Sequence, residues 1–174
     1  MIDKISTAIS IIWLKLRHSS IKTKGIHHIR KGTEIVILDG GEISIGKGVS
    51  THKRVTLSVV AGRLIIGDNT SFNRNSIIVC HDSIVIGRNC SFGPNLVIYD
   101  HDHVFDKTGF KRSSYHTDSI IIEDNCWIGA NVTILKGTII GEGSVIGAGS
   151  IVKGNIPPHS LVKSNRDLII TPIN

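Results

Sequence analysis

The sequence predicts an all-β protein, a parallel β-helix of six-residue repeats with a short N-terminal helix and one extruded loop. Three observations predict it. From residue 122 the chain reads IEDNCW IGANVT ILKGTI IGEGSV IGAGSI VKGNIP, with an aliphatic residue at Ile122, Ile128, Ile134, Ile140, Ile146 and Val152. Four residues after each of the first five stands a small or β-branched one: Cys126, Val132, Thr138, Ser144 and Ser150. Aromatics make up only 5% of the chain while there are 18 glycines, so a core of small branched side chains turning tight corners is expected.

A six-residue period is neither that of a helix nor that of a hairpin. It fits a short strand plus a corner, with the aliphatic residue pointing inward, three units closing one triangular coil. A β-sandwich would instead show alternating strands with turns about every 8–12 residues, a pattern the chain lacks.

Taken in order, residues 1–20 form the N-terminal helical segment: Ile5, Ile9, Ile12 and Leu16 recur at helical spacing between Lys4, Lys15 and Arg17. Such a helix packs on the body or lies at a membrane surface, the latter giving peripheral proximity to a membrane. Residues 21–174 form the solenoid. Its phase is carried by Ile45, then Ile66, Phe72 and Ile78, then Ile86, Phe92 and Ile98, with wider gaps that imply small insertions between runs. Residues 100–119, DHDHVFDKTGFKRSSYHTDS, interrupt the repeat before it resumes in phase. An excursion of this length from a regular solenoid is expected to carry binding or catalytic groups.

Composition narrows the function. The net charge of +6 suits an anionic partner, but the basic residues are scattered and lack interleaved aromatics, so nucleic acid is not expected. Three cysteines without CxxC spacing fit a reducing, cytoplasmic setting rather than a disulfide framework. No apolar run approaches the roughly 20 residues needed to span a bilayer. No phosphate-binding glycine loop is present.

Within the excursion, Asp100-His101-Asp102-His103 offers a base or a metal site. A neutral imidazole can accept the proton of an attacking hydroxyl, and a carboxylate or carbonyl on its other nitrogen fixes the tautomer. In an extended segment His101 and His103 share one side, so periodicity leaves the choice between them open. A catalytic zinc needs three converging ligands, which side chains this close in sequence do not readily supply, and no metal is expected.

The stretch WIGANVTILKGTIIGEGSVIGAGSIVKGNIPPHSLV resembles the C-terminal coils of the hexapeptide-repeat acyltransferases. It is more similar to the sugar O-acetyltransferases, including the galactoside, maltose, capsule and exopolysaccharide enzymes. The resemblance covers roughly residues 33–163. It implies a left-handed parallel β-helix, a homotrimer with active sites between subunits, and direct acetyl transfer from acetyl-coenzyme A within a ternary complex. The acceptor it implies is a sugar hydroxyl of a cell-surface polysaccharide or its precursor.

The resemblance also assigns residues. In these families a catalytic histidine precedes the tryptophan of a W-I-G motif by 24 positions, and His103 stands 24 before Trp127. The same register puts Asn95 at a P-N dipeptide and Asn73 at an acceptor-site asparagine, while His101 and His81 line the acceptor site. His81 stands where galactoside-type enzymes carry an acidic ligand, which argues against a simple galactoside. Coenzyme A is expected along Trp127, Gly129, Ala130 and Ala148, with amides of Ala130 and Ala148 on its pantetheine arm. An amide of Gly129 or Ala130 would steady the oxyanion. Lys153 is expected among the lysines facing the phosphates. An N-acetyltransferase of an amino sugar or xenobiotic, a γ-carbonic-anhydrase-like metal protein and a non-catalytic β-helix scaffold are the alternative readings.

Overall fold

In a computed structural model the described residues are 20–164, and the expected N-terminal helix lies outside them. They form a three-sided solenoid. Its first face stacks seven strands in parallel, from Ile21–Thr23 through Glu42–Ile45, Arg63–Ile66, Ser83–Ile86, Ile120–Ile122 and Ile139–Ile140 to Asn155–Ile156. The second face runs from His28–Ile29 to Leu161–Val162 and includes Ser91–Phe92 and Trp127–Ile128. The third has six strands, from Glu34–Leu38 to Ile151–Val152. Each coil visits the faces in the order first, second, third.

The predicted period is the inward column of this prism. Ile122, Ile128, Ile134, Ile140, Ile146 and Val152 are all buried, and so are the small residues Cys126, Val132, Thr138, Ser144 and Ser150 that turn in at the corners. Full burial of one such aliphatic side chain contributes roughly 1.5–3 kcal/mol, and 23 buried Ile, Leu and Val are found among the described residues. In the upper coils Phe72 and Phe92 fill the second face as a parallel stack, ring centroids 4.9 Å apart. The three cysteines are free thiols, all buried. Cys90 and Cys126 occupy corners of adjacent coils, and a hydrogen bond to Cys126 together with burial pushes the Cys90 thiol up.

Corners require backbone that most residues resist. Asn69, Asn89 and Asn125 adopt positive φ where the first face meets the second, and Asn75, Asn95 and Asn131 do so where the second meets the third. Asparagine tolerates this conformation better than other non-glycine residues. Stacked coils let the amides join in ladders: Asn75 donates to Asn95 and Asn95 to Asn131, each at 2.9 Å. Gly129 answers a different need, since a Cβ there would meet the backbone nitrogen of Ala148 at 2.6 Å.

The insertions implied by the stretched spacing fall at one edge. Thr51 to Leu57 and Phe72 to Ile78 keep the six-residue step, whereas the third-to-first corner separates Leu57 from Ile66 and Ile78 from Ile86. The long excursion leaves from the same edge. It is not an irregular loop: His101–Asp106 pairs antiparallel with Gly109–Thr117 as a two-stranded arm. Asp106 caps the arm's tip, accepting hydrogen bonds from the Thr108 amide and hydroxyl at 2.7 and 2.6 Å.

Candidate active site

The root of the arm gathers the histidines. His101 pairs with Thr117 and His103 with Tyr115, so both imidazoles sit on one side of the arm, as strand geometry predicts. The register shift between His103 and Val104 leaves Arg112, Ser113 and Ser114 of the other strand without partners in the register, so the irregularity lies opposite His103. His81, at the corner one coil earlier, stacks on His101 with centroids 3.8 Å apart. Tyr115 closes the cluster, its ring centroid 4.4 Å from His81, 5.3 Å from His101 and 4.8 Å from His103. No sequence period marks Tyr115; only its pairing across the arm brings it to the histidines.

The two candidate bases differ in their backing. His103 is exposed, and its Nδ1 lies 3.4 Å from the carbonyl oxygen of Lys111. A proton on Nδ1 makes that contact a hydrogen bond and leaves the Nε2 lone pair outward. His101 is largely enclosed, its side chain 11% exposed, with Nδ1 3.3 Å from Oδ1 of the buried Asp100. The other aspartate of the motif plays no part in this: Asp102 is paired with Lys136 at 3.3 Å. Lys136 also donates to the His116 carbonyl at 3.1 Å, tying the arm to the body. Burial lowers the His81 pKa below its ordinary 6.5, and the charges of His101 and His103 lower it further against the opposing effect of Asp100. Among the described residues no three His, Cys, Asp or Glu side chains are grouped to hold a metal.

The residues expected to hold the acyl donor lie on another edge. Trp127 points out from the second face, 60% exposed. Gly129, Ala130 and Ala148 follow it at the corner between the second and third faces, which also carries Asn73 and Asn95. The Gly129 amide donates to the Ile146 carbonyl at 2.8 Å, so it is engaged within the solenoid and is unavailable to an oxyanion. The amides of Ala130 and Ala148 have no acceptor among the described residues, and they stand one coil apart on this edge. Lys163, exposed one coil beyond Ala148, continues the same line, whereas Lys153 belongs to the edge of the arm. Asn95 commits its amide to the ladder, and Asn73 accepts from the Arg74 amide at 2.8 Å. In one chain, therefore, the third face separates the histidine cluster from the donor-edge residues. A groove of about 570 Å³ lined by Lys22, Lys24, Ile45, Ile65 and Arg88 opens on the first face and contains none of them.

Comparison with known proteins agrees with this architecture. Residues 119–154 match the family described as bacterial transferase hexapeptide (six repeats), and residues 63–100 match the hexapeptide repeat of succinyl-transferase. Two segments of the chain thus carry hexapeptide repeats of the transferase kind, and its solenoid is the left-handed parallel β-helix expected above. It is 30% identical over 154 residues to the probable acetyltransferase Rv3034c of Mycobacterium tuberculosis, covering 87% of this chain and 51% of that protein. It is 33% identical over 58 residues to the putative lipopolysaccharide biosynthesis O-acetyl transferase WbbJ of Escherichia coli, 33% of this chain and 30% of WbbJ. The chain thus spans about half the length, or less, of these curated relatives. Among solved structures it shares the fold of AntD, an N-acyltransferase from Bacillus cereus in complex with dTDP and 3-hydroxybutyryl-CoA, with TM-score 0.70 and 20% identity over 86% of this chain and 81% of AntD. It also shares the fold of the polySia-specific acetyltransferase NeuO, with TM-score 0.57 and 24% identity over 88% and 87% of the two chains.

Proposed function

We propose that this protein is an acetyl-coenzyme-A-dependent O-acetyltransferase acting on a sugar hydroxyl of a cell-surface polysaccharide or its precursor, with His103 as general base. The observation that carries the reading is the carbonyl of Lys111 behind His103 Nδ1, which leaves Nε2 free to take a proton. As the acceptor oxygen bonds to the thioester carbonyl carbon, its proton passes to Nε2. The tetrahedral adduct then expels the coenzyme A thiolate, and the imidazolium returns the proton to sulfur. His101, His81 and Tyr115 wall the acceptor side.

The donor lies along Trp127, Ala130 and Ala148, whose two unengaged amides suit the amide carbonyls of a pantetheine arm. Lys163 on the same edge, and Lys153 on the arm edge of a neighbouring copy, are the cations for its phosphates. Because donor edge and histidine edge are apart in one chain, the complete site is shared between two copies, and the assembly is a closed trimer. Buried free thiols are compatible with a cytoplasmic setting, with residues 1–20 holding the protein near the membrane.

The test is release of thiol from acetyl-coenzyme A with a panel of sugars and amino sugars, comparing wild type, His103→Ala and His101→Ala. Loss of a positioned base lowers kcat by about 100-fold or more. The expected result is that loss in His103→Ala and measurable turnover in His101→Ala. Wild-type kcat in His103→Ala would remove the base assignment. The amino-sugar arm decides between O- and N-acetylation, a distinction raised by the likeness to AntD.

A further inference from the structure

At the earlier corners of the third-to-first edge the backbone bonds to the next coil, the Glu42 amide to the Gly62 carbonyl and the Arg63 amide to the Asp82 carbonyl; after Asp82 the next coil is interrupted where the arm swings out. Asp100 stands in the gap. Its carboxylate is fully buried and accepts from the His81 amide at 2.8 and 3.1 Å and from the Asp82 amide at 2.8 Å. Its own carbonyl receives the Asp118 amide at 2.9 Å, where the chain re-enters the solenoid. His101 Nδ1 completes the set at 3.3 Å from Oδ1. Burial and the adjacent Asp100 charge push the Cys80 thiol up to about 12, which keeps that neighbour a hydrogen-bond donor to the carboxylate.

We propose that Asp100 is the positioning residue of the acceptor site: it closes the gap left by the arm and fixes His101 as the Nδ1–H tautomer, presenting Nε2 as an acceptor to a substrate hydroxyl. The proposal rests on the transferase reading for its substrate, but the tautomer itself does not depend on it. With donors on both oxygens, the carboxylate acts as acceptor only, so the shared proton lies on the ring. His101 thereby differs from His103 in role as well as in partner. One imidazole removes the acceptor's proton, and the other accepts a hydrogen bond from a second hydroxyl of the same ligand.

The substitution Asp100→Asn separates these effects. Oδ2 accepts from both backbone amides and Oδ1 from the His81 amide alone, so the side-chain oxygen is expected to stay on the Oδ2 side. The new amide nitrogen takes the Oδ1 side, gives up the 2.8 Å bond from His81 and donates toward His101. The ring must then carry its proton on Nε2, offering a donor where it had offered an acceptor.

The experiment is imidazole 15N NMR of the full chain, with His101 assigned through His101→Gln, alongside acceptor kinetics. Expected are Nδ1–H in wild type, Nε2–H in Asp100→Asn, and an acceptor KM raised about tenfold with kcat little changed, as for loss of one hydrogen bond to a bound ligand. A wild-type His101 protonated on Nε2 overturns the proposal, and that measurement needs no variant to fold. An unchanged tautomer in Asp100→Asn, or a flipped tautomer with unchanged KM, also overturns it. Absence of turnover with every sugar in wild type would instead strike the transferase reading, leaving the tautomer result standing.

Discussion

His103 and His101 differ in what stands behind them: a main-chain carbonyl in one case and a buried carboxylate in the other. Both are imidazoles at alternate positions of one strand, and spacing alone assigns them the same neighbours. Burial against these two imidazoles bends the titration of His81, their third companion. Its folded pKa lies below the ordinary value, so at pH values under about 6.5 the unfolded chain binds the proton more readily and stability falls as the solution is acidified. The loss begins as pH falls through the unfolded value and is complete below the folded one. His81→Asn is therefore expected to flatten the acid side of a Tm-against-pH curve while leaving Tm near pH 8 within a few degrees. An identical acid slope in the variant would assign that slope to other groups.

Among elements, the corners and the arm behave differently. A corner residue is replicated coil after coil, and Asn75, Asn95 and Asn131 share both backbone conformation and amide bonds. Asn95 thus belongs to the corner ladder as well as to the donor edge. Asn95→Gly keeps the positive φ and loses only the ladder, an expected cost of about 1 kcal/mol by urea denaturation. Asn95→Ala adds the left-handed backbone penalty and is expected to cost about 2–3 kcal/mol. Neither substitution is expected to alter acceptor KM; a rise in both would return Asn95 to the acceptor site. The arm has no such repetition. Its order comes from its own antiparallel pairing, from Asp106 at its tip and from Lys136 at its root. Beyond Val104 the arm exposes Phe105 and Phe110 to solvent, whereas the imidazole cluster stands at its root.

For the whole molecule, the arrangement of edges suits the trimer proposed above. Each prism carries a histidine edge and a donor edge with the third face between them, so a ring of copies can bring unlike edges together at every junction. Mixed assemblies test this. Chains carrying His103→Ala, refolded in equal amounts with chains whose donor edge is blocked by Ala148→Trp, are each expected to be nearly inactive alone. Random mixing leaves both halves intact at about one junction in four, and about a quarter of wild-type activity should return. No recovery in assemblies proven mixed by mass would place both halves of the site on one chain.

The sequence by itself determined the solenoid. Its core is a column of like residues, and stacking identical coils turns a linear period into a three-dimensional one, so Ile122 through Val152 were legible as buried without any coordinates. It also marked the arm, because departure from so strict a period is conspicuous. What only the tertiary structure decided is which side chains of the arm meet which groups of the body. Asp100 reaches back to amides 18 and 19 residues earlier, Tyr115 touches three imidazoles, and the Gly129 amide is already taken by Ile146. These contacts depend on hairpin register and on coil stacking at a single interruption. Neither has a period, and a sequence reports strongly only what it repeats.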